Sequence, residues 1–117
     1  MAAISVHAGH NPAGKIACGA VGLLDESKEN RLIVAEVINI MKEFGWTVYN
    51  DTVDNGSSQN DFLNKIVAKT NAHSVDFSIS FHLNSGRNDY PGDGSIGGFE
   101  VWVNAMNKGK PELAERI

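Results

Sequence analysis

Ala3-Ile4-Ser5-Val6-His7-Ala8-Gly9-His10-Asn11 is the stretch whose reading decides the fold. Ala3 to Ala8 is short, partly β-branched and uncharged, which reads as a buried strand. Gly9 to Gly22 then holds four glycines and Pro12, so the strand runs into a long loop. Asp25 stands where a helix N-cap belongs, with Lys28 where a capping box would place Glu, and Glu29 just beyond. Leu32, Ile33, Val37, Ile40, Met41 and Phe44 recur at helical spacing, and Gly45 supplies a left-handed stop. Trp46 to Asn50 reads as the second strand.

The alternation continues downstream. Asp51 to Gln59 is a polar loop, and Asn60 to Ala72 is an amphipathic helix marked by Phe62, Ile66, Val67 and Lys69. Asp76 to Leu83 alternates around Phe77, Ile79 and Phe81 and reads as the third strand. Asn84 to Gly98, with five glycines and Pro91, is a long loop of the kind that often carries function. Phe99 to Val103 reads as a fourth strand, and a helix is expected from Pro111, with Glu112 in its first turn. Strands alternating with helices give an α/β class with a largely parallel sheet and helices on its faces. Residues 1–117 read as a single domain without internal repeats. The last helix has about two turns before Ile117, which suggests a piece of a larger domain.

Composition narrows the function. An apolar fraction of 42% and a charged fraction of 21% exclude a disordered chain. The net charge of -4, with no basic stripe, speaks against nucleic acid as a partner. No apolar run has the length of a membrane span, so no membrane role is read. That charge also gives no attraction to an anionic wall, so attachment to one comes from elsewhere. Met1 leads straight into the first strand, with no charged leader or small-residue cleavage site, so no secretory signal is read. Cys18 is the single cysteine, which forbids an internal disulfide, and it reads as a small loop residue rather than a nucleophile.

Open α/β sheets bind ligands outside the carboxyl ends of their strands. His10 follows the first strand and His82 lies near the end of the third. Glu26 opens the first helix, whose N-terminus faces the same crevice. Two histidines and a carboxylate converging there match a catalytic zinc site with a position left open for water. A lone histidine is more often structural, so the weight lies in the convergence. His7 reads as a support to the ligands or as packing, and His73 as solvated. Gly9-His10-Asn11-Pro12-Ala13-Gly14-Lys15 fits the first seven positions of a phosphate-binding loop, but Ile16 stands where Ser or Thr must hold magnesium. Pro12 also lacks an N–H that a phosphate cradle would use.

These residues resemble the zinc-dependent N-acetylmuramoyl-L-alanine amidases found among phage endolysins, autolysins and sporulation enzymes. The likeness is carried by Gly9-His10-Asn11 after a strand, by Glu26 with Asn30 four residues on, and by a helix ending at Gly45. It continues through Ser80-Phe81-His82-Leu83-Asn84, Gly98-Phe99-Glu100-Val101-Trp102 and Pro111-Glu112-Leu113-Ala114. The resemblance implies a twisted, mostly parallel mixed sheet flanked by helices. It also implies Zn2+ held by His10, Glu26 and His82; Glu29 competes with Glu26 but has Ile33 rather than asparagine at the same offset. The implied activity is cleavage of the bond between muramic acid and L-alanine in peptidoglycan.

The same resemblance places a second, catalytic glutamate on a strand beyond the helix starting at Pro111, so the last elements are expected to be missing. Glu100 is the nearest substitute, at a position that is not catalytic in the family. A missing general base typically costs about a hundred- to ten-thousand-fold in rate. The expectation is therefore a zinc-binding chain that is weak alone and self-associates or needs a C-terminal portion. The rival classes are a zinc- or wall-binding module without turnover and a metallopeptidase acting on stem peptides. The loop from Asn84 is expected to border the substrate groove, with Asn84 and Arg87 as candidate substrate contacts; Arg87 is either a partner for a stem-peptide carboxylate or simply solvated. The site of action is the bacterial wall, reached by phage-assisted release or by export within a larger protein.

Overall fold

The structure, a computed structural model, describes residues 2–85, 98, 100–103 and 111–116. Its elements run β1 (Ala3–Ala8), α1 (Glu26–Glu43), β2 (Thr47–Asn50), α2 (Gln59–Asn71), β3 (Phe77–Phe81) and α3 (Pro111–Ala114). The three strands form one parallel sheet in the order β2-β1-β3. The α/β class read from the alternation is therefore the observed one. The chain divides into two units, residues 1–84 and 85–117, and the sheet with its two long helices lies in the first.

The middle strand is buried on both sides, as its composition requires. Ile4, Val6 and Ala8 are fully shielded and pack against Val34 and Ile38 of α1. Each such side chain contributes roughly 1.5–3 kcal/mol by leaving water. The opposite face carries Ser5 and His7, and Ser5 Oγ lies 3.1 Å from Thr70 Oγ1 of α2. Val53, Phe62 and Ile66 form a second, smaller cluster on that side.

The periodicity of α1 was legible but its buried face was not. Leu32, Ile33, Ile40 and Phe44 of the periodic set are exposed, while Val34 and Ile38 are buried and Val37 and Met41 are partly so. The helix carries apolar residues around most of its circumference. The row through Asn30, Val34, Ile38 and Met41 meets β1 because Asn30 must reach the strand ends.

Both helices start as capping chemistry demands. The Asp25 carboxylate accepts from Ser27 N at 3.2 Å, and Ser58 Oγ accepts from Asp61 N at 3.1 Å. Gly45, at φ 81°, follows α1 in the left-handed region where a Cβ would be strained.

Two expectations are corrected. The described residues Glu100–Val103 form no strand. Trp102 Nε1 donates to the Glu100 carboxylate at 3.1 Å. His73 is not simply solvated: it stacks on Tyr49, with ring centroids 3.7 Å apart, and sets Nε2 3.5 Å from Asp51. Asp51 is 1% exposed and accepts from Ser5 Oγ at 2.7 Å, so a second polar partner is what burial of its carboxylate calls for. Arg87 and most of the 84–98 loop lie outside the described residues.

Candidate metal centre

Ala8 and Phe81 are register partners at the ends of β1 and β3, so the segments that follow leave the sheet side by side. The ladder extends one step further through Gly9 N to Phe81 O, 2.9 Å. His10 and His82 sit just past those ends. Their rings meet edge to face, with centroids 4.9 Å apart and planes at 86°. A Cβ built on Gly9 would collide with the His82 ring, so only glycine lets the two segments approach this closely. His10 itself holds φ 66°, an uncommon conformation for a residue with a Cβ.

Glu26 reaches the same point from the first position of α1. The loop before it folds back through a Val21–Asp25 bridge, and Glu26 N donates to Ala20 O at 3.0 Å. Its side chain is almost fully buried. One carboxylate oxygen accepts from Ala20 N at 3.0 Å. The other accepts from Leu83 N at 3.0 Å and lies 3.2 Å from His82 Nδ1 and 3.4 Å from His10 Nε2. Burial alone would raise the pKa of Glu26. The two backbone donors and the flanking imidazoles outweigh it and hold the carboxyl below its ordinary value, so it is an anion at neutral pH.

The ligand-capable atoms of His10, Glu26 and His82 all lie within 4.8 Å of one another. Ligands about 2.0–2.2 Å from one tetrahedral ion stand roughly 3.3–3.6 Å apart. Both carboxylate–imidazole separations are near that span before any ion is considered, so this donor set fits zinc. The His82 side chain is 49% exposed against 27% for His10, so the site opens on the His82 side. Glu29 is no member of the cluster. Asn84, two residues beyond His82, is exposed.

Three residues hold this arrangement from behind, and the sequence reading assigned none of them that task. Asn30 Nδ2 donates to Gly9 O at 2.8 Å and to Phe81 O at 3.3 Å, tying the two ligand-bearing ends together. Arg31 donates to His10 O at 2.9 Å as well as to Ser27 O, Val53 O and Asp54, which pins the left-handed turn at His10. Asn11, fully buried, bonds Ile16 O and both backbone groups of Gly56. Their acceptors are mainly backbone carbonyls, which every residue possesses, so no pattern of side chains announces them. His7 lies partly buried on β1, where burial pushes its pKa down to about 4.

Gly19 shows how tightly the loop wraps the ligands. At φ 82°, it would place a Cβ 2.7 Å from Glu26 Oε2 and 2.8 Å from His10 Cδ2. Gly19→Ala is expected to weaken zinc binding by about ten- to a hundredfold, the cost of disturbing groups that orient ligands. Competition with a fluorescent chelator measures it; an unchanged affinity would show that the loop yields freely.

A sequence model of the N-acetylmuramoyl-L-alanine amidase family matches residues 4–117. No curated protein and no solved structure matches the chain.

Proposed function

Because this chain belongs to the N-acetylmuramoyl-L-alanine amidase family, we propose that it acts on peptidoglycan with zinc held by His10, Glu26 and His82. The bond cut is the amide joining the lactyl group of muramic acid to the first alanine of the stem peptide. The observation that carries this reading is the convergence of two imidazoles and one buried, ionised carboxylate at the carboxyl edge of the sheet.

What zinc supplies when bound there is Lewis acidity toward the scissile carbonyl and toward the attacking water. The chain's own residues do the rest. Glu26 brings one negative charge toward a dication, and its two backbone donors prevent the carboxylate from turning away. Asn30 and Arg31 fix the backbone that carries the histidines, so little reorganisation is needed when a substrate arrives. The open His82 side is where the substrate chain enters, with Asn84 at its border. Arg87 remains a proposed partner for a stem-peptide carboxylate, and the place of action is the bacterial wall.

Two measurements on the purified chain test the reading. Elemental analysis is expected to find one zinc per chain. Digestion of peptidoglycan is expected to be slow, in keeping with a chain that is weak alone, and to release peptides with a new alanine N-terminus while leaving free lactyl carboxylates on the glycan. Products in which alanine stays attached to muramic acid would identify a stem-peptide peptidase instead. Absence of zinc would remove the metal from the proposal.

A further inference from the structure

A cleft of ≈ 390 Å³ opens at the carboxyl end of β2, which is an edge of the sheet among the described residues. Small-molecule sites commonly have about 300–1,000 Å³. Arg31 borders the cleft from α1, Lys69 from α2, and Asn50, Thr52 and Asp54 from the end of β2 and the segment after it. Two cations and one carboxylate therefore face one space. Val34 and Ala35 of α1 supply an apolar wall.

Each charged group keeps unused bonding capacity. Lys69 Nζ donates to Thr52 O at 2.8 Å and to Asn50 O at 3.5 Å, so one of its three N–H groups has no partner among the described residues. Arg31 Nη1 makes one bond, to Ser27 O at 2.8 Å, and it too has an N–H left. Asp54 receives the Arg31 guanidinium on Oδ1, while its Oδ2 accepts nothing among the described residues. The cleft thus offers two charged donors and one charged acceptor, the strong kind of hydrogen-bonding group. A lone carboxylate would leave Asp54 Oδ2 unanswered, and a lone ammonium would leave both cations so. A group bearing an ammonium and a carboxylate on one carbon answers all three, and its aliphatic tether can lie on Val34 and Ala35.

One side chain joins this cleft to the metal centre. The guanidinium that lines it also donates to His10 O at 2.9 Å. The strand order places His82, His10 and the cleft in sequence across the carboxyl edge of the sheet. A stem peptide with its alanine at the metal and its glycan on the open His82 side runs on toward β2. Its third residue stands roughly 7 Å of extended chain beyond alanine. In peptidoglycan that residue is commonly a diamino acid. Lysine ends in an ammonium alone, whereas diaminopimelate ends in an ammonium and a carboxylate on one carbon.

We propose that this cleft binds the far end of a diaminopimelyl side chain, its carboxylate on Arg31 and Lys69 and its ammonium on Asp54. The subsite rests on the amidase reading and gives it a wall chemotype. Acylation of that ammonium in a cross-link removes the bond to Asp54, so uncross-linked stems are the favoured substrates.

The test titrates two tetrapeptides, L-Ala-γ-D-Glu-X-D-Ala with X either meso-diaminopimelate or L-lysine, into the purified chain. They differ by a single side-chain carboxylate. The diaminopimelyl peptide is expected to bind at least about tenfold tighter, with backbone amide shifts at Asn50, Thr52 and Asp54 and an advantage that shrinks as salt is raised. Lys69→Gln is expected to cut the preference to less than about threefold with the native circular dichroism retained, and Lys69→Arg is expected to keep it. Equal affinity for both peptides, binding of neither, or a preference unchanged in Lys69→Gln would overturn the subsite. The amidase reading is judged separately, by the alanine N-termini released from whole peptidoglycan, so either can fall without the other.

Discussion

Glu26→Gln is expected to lower zinc affinity by more than about a hundredfold, beyond the ten- to hundredfold typical for residues that merely orient ligands. The substitution removes the only formal negative charge in the donor set. It also replaces one carboxylate oxygen by an NH2 group. Whichever way the amide turns, that NH2 faces either Ala20 N–H or Leu83 N–H, donor against donor. Leaving such a donor unpaired costs about 1–3 kcal/mol, so the apoprotein should also melt lower. Glu26 further ties stability to pH. Its folded pKa is depressed, so its contribution is fully present above the ordinary carboxylate value and is lost as pH falls through the lowered one. Melting curves with and without excess zinc read both effects. The native chain should gain thermal stability from the metal, and Glu26→Gln should gain none. A variant that keeps stoichiometric zinc through dialysis would remove Glu26 from the ligand set.

Asn11→Ala is expected to be the most damaging single change outside the ligands, at about 3–5 kcal/mol. Asn11 is wholly buried, and its amide joins the loop after β1 to the segment around Gly56 through bonds to Ile16 O, Gly56 O and Gly56 N. Truncation strands Ile16 O, Gly56 O and Gly56 N in a space that a methyl group cannot fill. A domain whose total stability is about 5–15 kcal/mol would lose a large share of it. For a chain of this size each kcal/mol moves Tm by about 4–8 °C, so a fall of more than about 10 °C is expected in thermal denaturation. Asn11→Asp tests the cause, because it keeps the acceptor for Gly56 N but loses both donations to carbonyls. It should recover only a minor part. A Tm within about 3 °C of native for Asn11→Ala would mean that solvent reaches those groups.

How much of this was legible before any coordinates follows from what kind of signal each feature has. β1, β3, the start of α1 and the body of α2 were legible because they rest on local chemistry: β-branched runs, alternation, the Asp25 cap and amphipathic spacing, whereas the Ser58 cap of α2 went unread within a polar loop. His10, Glu26 and His82 were singled out because rare residue types fell at strand and helix ends that topology brings together. The buried face of α1 was not legible, since apolar residues surround most of that helix and only tertiary contact chooses between Ile33 and Val34. The strand expected at Phe99–Val103 shows the converse: suitable residues alone do not make a strand, and the described residues 100–103 form none. His73 was misjudged because its partner, Asp51, is distant in sequence and itself looked like an ordinary loop residue.

The place of β1 between β2 and β3 sets a timetable for biosynthesis. Its register with β3 pairs Ile4 with Phe77, and its register with β2 pairs Ile4 with Val48. At translation rates of about 5–20 residues per second, a nascent β1 waits roughly 4–15 s for its second neighbour. Throughout that interval its apolar strand edge is open to other chains, which makes it a natural client for a ribosome-associated chaperone. A metal ion offers no relief during the wait, because His82 is made after β3. With the proposed ligand set, zinc uptake by a stalled nascent chain would switch on only with stalls beyond that residue, turning the metal into a timestamp for completion of the sheet.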